Sequence, residues 1–327
     1  MSGIMRRTLL AAALAAGLAQ AASAFEPGEV ECIAPANPGG GWDFTCRAVG
    51  RALHELGIVK TPVRVTNMAG GGGGIAFAYV VSKRNADDNL LVAASTATTT
   101  RLAQGAYVGM KPEMVRWVGT VGADYGVIAV AADSPFANLG DLMTALGERP
   151  EEVSVSGGSA FGGWDHLKLL IAAKAAGISD VARIKYVAYK GGGEAITALL
   201  GGHVQAFSGD ISEVVGFIEA GQLRVLAVLA PERLPGGLAD IPTAREQGVD
   251  AIGANWRGFY APGGMSDEAY AFWVEAVRKV YESDHWKKVM AESGLMPFAR
   301  FGPELERFVQ EQVAEIAALS KEIGLSK

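Results

Sequence analysis

Gly40-Gly41-Trp42-Asp43 and Gly162-Gly163-Trp164-Asp165 are the same four letters set 122 positions apart, each between a strand-like run and a helix-like run. Ahead of the first copy, residues 29–35 read as a strand. Behind it, residues 44–56 read as a helix with Val49, Leu53 and Leu56 on one face. A second strand at 62–67 runs into the glycine cluster 70–74, a helix at 75–83 and a third strand at 90–95. The second copy repeats this order: a strand at 152–156, a helix at 166–176, a strand at 184–189, glycines at 191–193, a helix at 194–200 and a strand at 204–208. Two βαβαβ runs predict an α/β protein of two lobes, each a mostly parallel sheet flanked by helices. In open α/β sheets ligands lie beyond the carboxyl ends of the strands, where all four glycine turns fall, so one cleft between the lobes is the expected site.

Outward from the repeat, residues 223–229 and 255–262 read as further strands. Residues 267–293 and 303–323 read as amphipathic helices returning to the first lobe, with Phe272, Trp273, Val277, Val280 and Tyr281 as core. The expected division is 25–126 with 253–327 for lobe 1 and 127–252 for lobe 2. The chain is expected to hinge near 124–127 and 252–256. Residues 1–24 have the form of a signal peptide: Arg6 and Arg7, an apolar run, then Ala22-Ser23-Ala24, with cleavage expected after Ala24. Arg6-Arg7 leaves both the general and the twin-arginine export routes open. The protein is therefore expected in the periplasm. Cys32 and Cys46 suit a disulfide in such an oxidising compartment, the alternative being two buried thiols.

Composition sets limits on function. The chain has 327 residues, half of them hydrophobic, and a net charge of −6, which fits a compact globular protein and disfavours nucleic acid as a partner. Two cysteines without a nearby His, and four His without ligand spacing, predict no metal site. Gly71-x-Gly73-x-x-Ala76 matches the dinucleotide fingerprint only formally, because it follows the second strand of its unit, and no cofactor is expected. Gly157-Gly158-Ser159-Ala160-Phe161 lacks the last glycine of a nucleophile elbow.

A glycine turn entering a helix presents free backbone N–H groups at the positive end of the helix dipole, an anion site that needs no cation. The candidate ligand-binding residues are Gly40, Gly41, Trp42, Asp43, Gly71, Gly72, Ser95, Thr96, Ser156, Gly157, Gly158, Ser159, His166, Lys190, Gly191 and Asp210. Asp43 and Asp165 have helix capping as an equal alternative. Trp42 and Trp164 suit either ligand stacking or lobe packing, and His166 either a ligand contact or a structural hydrogen bond.

The segment from Ala34 through Pro35, Asn37 and Pro38 to Asp43, the 67–74 glycine run, Ser156-Gly157-Gly158-Ser159 with His166, Tyr189-Lys190-Gly191-Gly192-Gly193, and Trp256-Arg257-Gly258 with Ala261-Pro262 together resemble one family. It is the substrate-binding subunit of tripartite tricarboxylate transporters, the Bug type. The resemblance implies the two-lobed Venus-flytrap fold of periplasmic binding proteins and a monomeric periplasmic receptor, not an enzyme. Such a receptor closes on a small carboxylate, a di- or tricarboxylate such as citrate, and delivers it to two integral-membrane subunits. It also implies carboxylate binding by the loops at 40–43 and 156–159 with His166. An exported hydrolase on a similar scaffold and a receptor for aromatic carboxylates are the alternatives.

Overall fold

The computed structural model describes residues 25–322, 324 and 325. The signal-peptide reading of 1–24 lies outside them. The chain runs β1 (Glu31–Ala34), α1 (Gly41–Glu55), β2 (Arg64–Asn67), α2 (Gly74–Lys83), β3 (Leu90–Ser95), α3 (Thr96–Ala103), β4 (Val115–Ala131) and α4 (Leu139–Glu148). It continues with β5 (Ser154–Gly157), α5 (Trp164–Ala175), β6 (Lys185–Ala188), α6 (Gly192–Leu200), β7 (Ala206–Asp210), α7 (Ile211–Glu219) and β8 (Leu223–Val228). Last come β9 (Ala254–Pro262), α8 (Asp267–Glu282), α9 (Asp284–Ser293) and α10 (Pro303–Glu322).

The repeat is visible in the pairing. β1 lies between β2 and β3, all parallel, and β5 lies between β6 and β7, all parallel. Two strands that run against these trios join them. β9 pairs antiparallel with β3 and with β4 up to Tyr125, and from Gly126 onward β4 pairs instead with β7 and β8. One nine-stranded path, β2-β1-β3-β9-β4-β7-β5-β6 with β8 beside β4, therefore runs through both lobes.

Alternate residues of the inner strands face opposite cores. Leu91 and Ala93 of β3 join the cluster under α1 and α8, while Leu90, Val92 and Ala94 join the cluster holding Phe77, Trp117 and Trp256. The second lobe has the same two-faced core. Ile128 and Val130 pack with α4 and α5, and Val127 and Ala129 with α6 and α7. Trp273, Val277 and Val280 are buried in the first lobe, with Phe272 and Tyr281 packed against them.

Several elements differ from the sequence reading. The expected helix 267–293 is two helices, because Ser283 is extended and its hydroxyl caps α9 by accepting from the Trp286 N–H. β4 escapes a pattern reading because Gly119, Gly122, Asp124 and Gly126 interrupt its apolar run. Its register shifts twice, and Gly122 has φ of 146°, a conformation that favours glycine. α3 is rich in Thr, yet Ser95 and Thr98 form a reciprocal capping box, and Thr99 and Thr100 hydrogen-bond back to the Thr96 carbonyl.

Cys32 on β1 and Cys46 on α1 form a disulfide, with Cα atoms 5.7 Å apart. It ties α1, whose first turn carries the repeated motif, to the strand before it. Thiol titration of the denatured, unreduced protein should find no free thiol. Replacing both cysteines with Ala should cost about 3 kcal/mol on chain-entropy grounds, read as a lowered denaturant midpoint.

Candidate ligand-binding site between the lobes

The loops at the carboxyl ends of the parallel strands enclose a cavity of about 200 Å³. The first lobe supplies Pro35, Ala36, Trp42, Gly70, Gly71, Gly72, Ala97 and Arg101. The second supplies Gly158, Ser159, Ala160, Gly163, Ala188, Tyr189 and Lys190. Gly70, Gly71, Gly72 and Gly73 all have φ between 60° and 136°, a run of left-handed conformations that side chains resist, so this wall requires its glycines. The lobes touch around the cavity. The Asn37 N–H donates to the Lys190 carbonyl at 3.0 Å, Gln104 Nε2 to the Gly162 carbonyl at 2.7 Å, and Arg101 Nη1 to the Phe161 carbonyl at 3.0 Å.

Of the residues singled out in the sequence, Trp42, Gly71, Gly72, Gly158, Ser159 and Lys190 line this cavity. The others lie behind it, and their polar groups are engaged within the protein. Asp43 sits in the first turn of α1 and accepts from the Gly39 N–H, Asn67 Nδ2 and Arg47. Burial pushes its carboxyl up, but Arg47, Asn67 and Gly39 outweigh that and hold it below the usual range. Ser95 Oγ accepts from Trp42 Nε1 and the Ala97 N–H. Thr96 Oγ1 donates to the Ala254 carbonyl, and Ser156 Oγ to the Ala195 carbonyl. Gly157 packs against Tyr186, and Gly191 lies against Asn37 across the cleft. His166 is buried between Phe161 and Tyr186, its Nδ1 accepting from the Gly162 N–H. Burial pushes its pKa down to about 4, so the ring is neutral at pH 7.

The two copies of the four-letter motif have different fates. Trp42 faces the cavity, whereas Trp164 is buried against Leu167 and Ile316. The start of α1 does not face the cavity with a free donor as expected, because a carboxyl group of the protein fills the place: the Gly41 N–H donates to Glu213 Oε1 at 3.0 Å. A Cβ on Gly41 would overlap the Arg257 guanidinium, so the glycine makes room for that side chain.

Arg257 anchors a buried ion network where β4 and β9 cross between the lobes. It contacts Asp124 at 2.6 Å and Asp210 at 2.8 Å. Lys168 contacts Asp210 at 2.5 Å and Asp165 at 2.9 Å, and Asn255 donates to Asp210. Burial pushes Asp210 up, but Lys168 and Arg257 together hold it below its ordinary range. Burial, reinforced by Asp210 and Asp165, raises Glu213 to about 8. Sequence reasoning did not find Glu213, Arg257 as a network centre, or Arg101. Arg101 stands one helix length after the end of β3, and that position is the only trace it leaves in the sequence.

At pH 6 to 7 folded Glu213 holds a proton that the unfolded chain has released. Its contribution to stability is thus full below the ordinary carboxyl pKa and is lost as pH rises through about 8. His166 acts oppositely, losing its contribution as pH falls from 6.5 through about 4. In melting curves from pH 5 to 8.5, Glu213→Gln should gain stability relative to the unaltered protein as pH rises. A difference that stays constant with pH would show that Glu213 is charged throughout.

A model of the tripartite tricarboxylate transporter family receptor matches residues 47–325. The chain belongs to this family. Its members are solute-binding proteins and not enzymes. The chain is similar to the protein BugT of Bordetella pertussis, 27% identical over 315 residues that cover 94% of each chain. Among solved structures, MatC from Rhodopseudomonas palustris with bound malate superposes with a TM-score of 0.76 at 22% identity, over 89% of this chain and 98% of that one. A second R. palustris protein, solved with adipate, gives 0.80 at 24% identity, over 91% and 98%. These likenesses establish the two-lobed periplasmic-binding-protein fold for this receptor. No helix among the described residues is long and apolar enough to cross a membrane.

Proposed function

We propose that this receptor encloses one small carboxylate in the interlobe cavity and delivers it to the two membrane subunits of a tripartite tricarboxylate transporter. The observation that carries the reading is a small cavity walled by both lobes, with the cations Arg101 and Lys190 and no Asp or Glu on its lining. The malate and adipate of the two R. palustris structures support a carboxylate of similar size. A di- or tricarboxylate such as citrate is the class read from the sequence. The protein works in the periplasm as a monomer after cleavage behind Ala24.

Lobe 1, residues 25–126 and 253–327, and lobe 2, residues 127–252, open and close about the two crossing strands. The change of β4 partners between Tyr125 and Gly126 supports a hinge there, because bending at that point breaks no ladder inside either trio. The cross-cleft bonds of Asn37, Arg101 and Gln104 are among the contacts that opening releases.

Thermal melts with malate, succinate, adipate, citrate and benzoate should find at least one acid that raises the midpoint. Ligand at a hundred times its Kd adds about 2.7 kcal/mol. With that acid at saturation, small-angle scattering should show a smaller radius than with the protein alone. No shift with any acid, or an unchanged radius on binding, would count against the receptor reading or against closure, respectively.

A further inference from the structure

We infer that Arg101 is the charged anchor of the ligand and that the cavity favours carboxylates on a short, mainly apolar body. This inference rests on the receptor reading above. Arg101 is half-buried in the last turn of α3 and lines the cavity. The two fully buried cations, Arg257 and Lys168, each contact two carboxylates. Arg101 contacts none among the described residues: Nη1 reaches the Gln104 and Phe161 oxygens, and Nε is buried without a partner.

A cation withdrawn from water without a counter-charge is costly, and here burial lowers the affinity of the guanidinium for its proton. An anion in the adjoining cavity supplies the missing charge. Lys190, the other cation on the wall, is exposed, where water and salt weaken its attraction. Closure also sets Arg101 in place, because its bond to Phe161 spans the lobes.

The body of the ligand meets carbon. Pro35, Ala36, Trp42, Ala97, Ala160 and Ala188 make most of the remaining side-chain wall. Two hydroxyl-bearing residues, Ser159 and Tyr189, also line the cavity, and Ser159 Oγ accepts from the Asp165 N–H at 3.0 Å. Polar groups on the ligand that face the carbon part of the wall would be stripped of water without replacement partners, a penalty that methylene groups do not carry.

Calorimetry on the full mature chain with succinate, glutarate, adipate, the corresponding diamides and citrate tests both parts. The unaltered protein should bind one of the unsubstituted acids more tightly than citrate and more tightly than its diamide. Arg101→Gln should weaken that acid by about 10- to 100-fold and abolish the preference for acid over diamide. Arg101→Lys, which keeps the charge, should retain the preference and carries the test if the glutamine variant does not fold. Gln104→Ala removes the neighbouring cross-cleft bond and one acceptor of Arg101 but keeps the guanidinium charge, so it should weaken acid and diamide alike and leave the preference for acid in place. An acid preference that survives in Arg101→Gln, or is lost in Arg101→Lys, would overturn the anchor, and tighter citrate binding would overturn the selectivity. If the unaltered protein bound none of these acids, citrate included, the receptor reading itself would fall.

Discussion

Arg257 ties the two lobes together through a buried ion network. It projects from β9 at the place where β4 and β9 carry the chain between lobes, and it pairs with Asp124 of β4 and with Asp210 at the end of β7. All three side chains are buried. Stripping water from such charges costs several kcal/mol each, and the cost is recovered only while every partner stays in place. Loss of one partner from a buried pair typically costs about 3–5 kcal/mol, so this point of the fold tolerates little rearrangement. Other features follow from it. Gly41 has no side chain because Arg257 occupies that space, and Asn255 and Lys168 turn toward Asp210 to complete its hydrogen bonds.

The same network explains why the start of α1 differs from a simple anion pocket. Its N–H groups seek an acceptor, and the chain supplies a carboxyl oxygen from the other lobe through Glu213. Burial, reinforced by Asp210 and Asp165, raises that carboxyl to about 8, so it is mainly protonated at neutral pH and accepts as a neutral group. The cavity between the lobes lies beside the glycines at 70–72, Trp42, Arg101 and the loop around Ser159. An acidic protein can still receive an acid there, because the acidic cluster lies behind the wall and the cations lie on it.

Much of this architecture was readable before any coordinates. The duplicated Gly-Gly-Trp-Asp turn, with strands and glycine clusters at matching places, implied two lobes, because period-2 and period-3.6 apolar patterns report which faces must be buried. The structure repeats the motif as two parallel trios, β2-β1-β3 and β6-β5-β7. The pattern failed at β4, whose glycines and Asp124 look like loop residues, and at α3, whose threonines look like strand. In both places long-range partners override local preference: β9 and β7 for the strand, and α10, which packs on the helix that a local capping box starts.

By itself the sequence determined the fold class, the position of the glycine turns at strand ends, and a cysteine pair suited to a disulfide, because these depend on local periodicity and on short separations along the chain. Only the tertiary structure decided which identical residues do different work. Trp42 lines the cavity and Trp164 fills a core; Asp43 serves its own helix and Asp165 binds Lys168. It also decided that Arg101 lines the cavity with no carboxylate partner among the described residues, while Arg257 is held by two carboxylates. The physical reason is that a charge is defined by what surrounds it in space, and the partners of Arg257 come from positions 133 and 47 residues away.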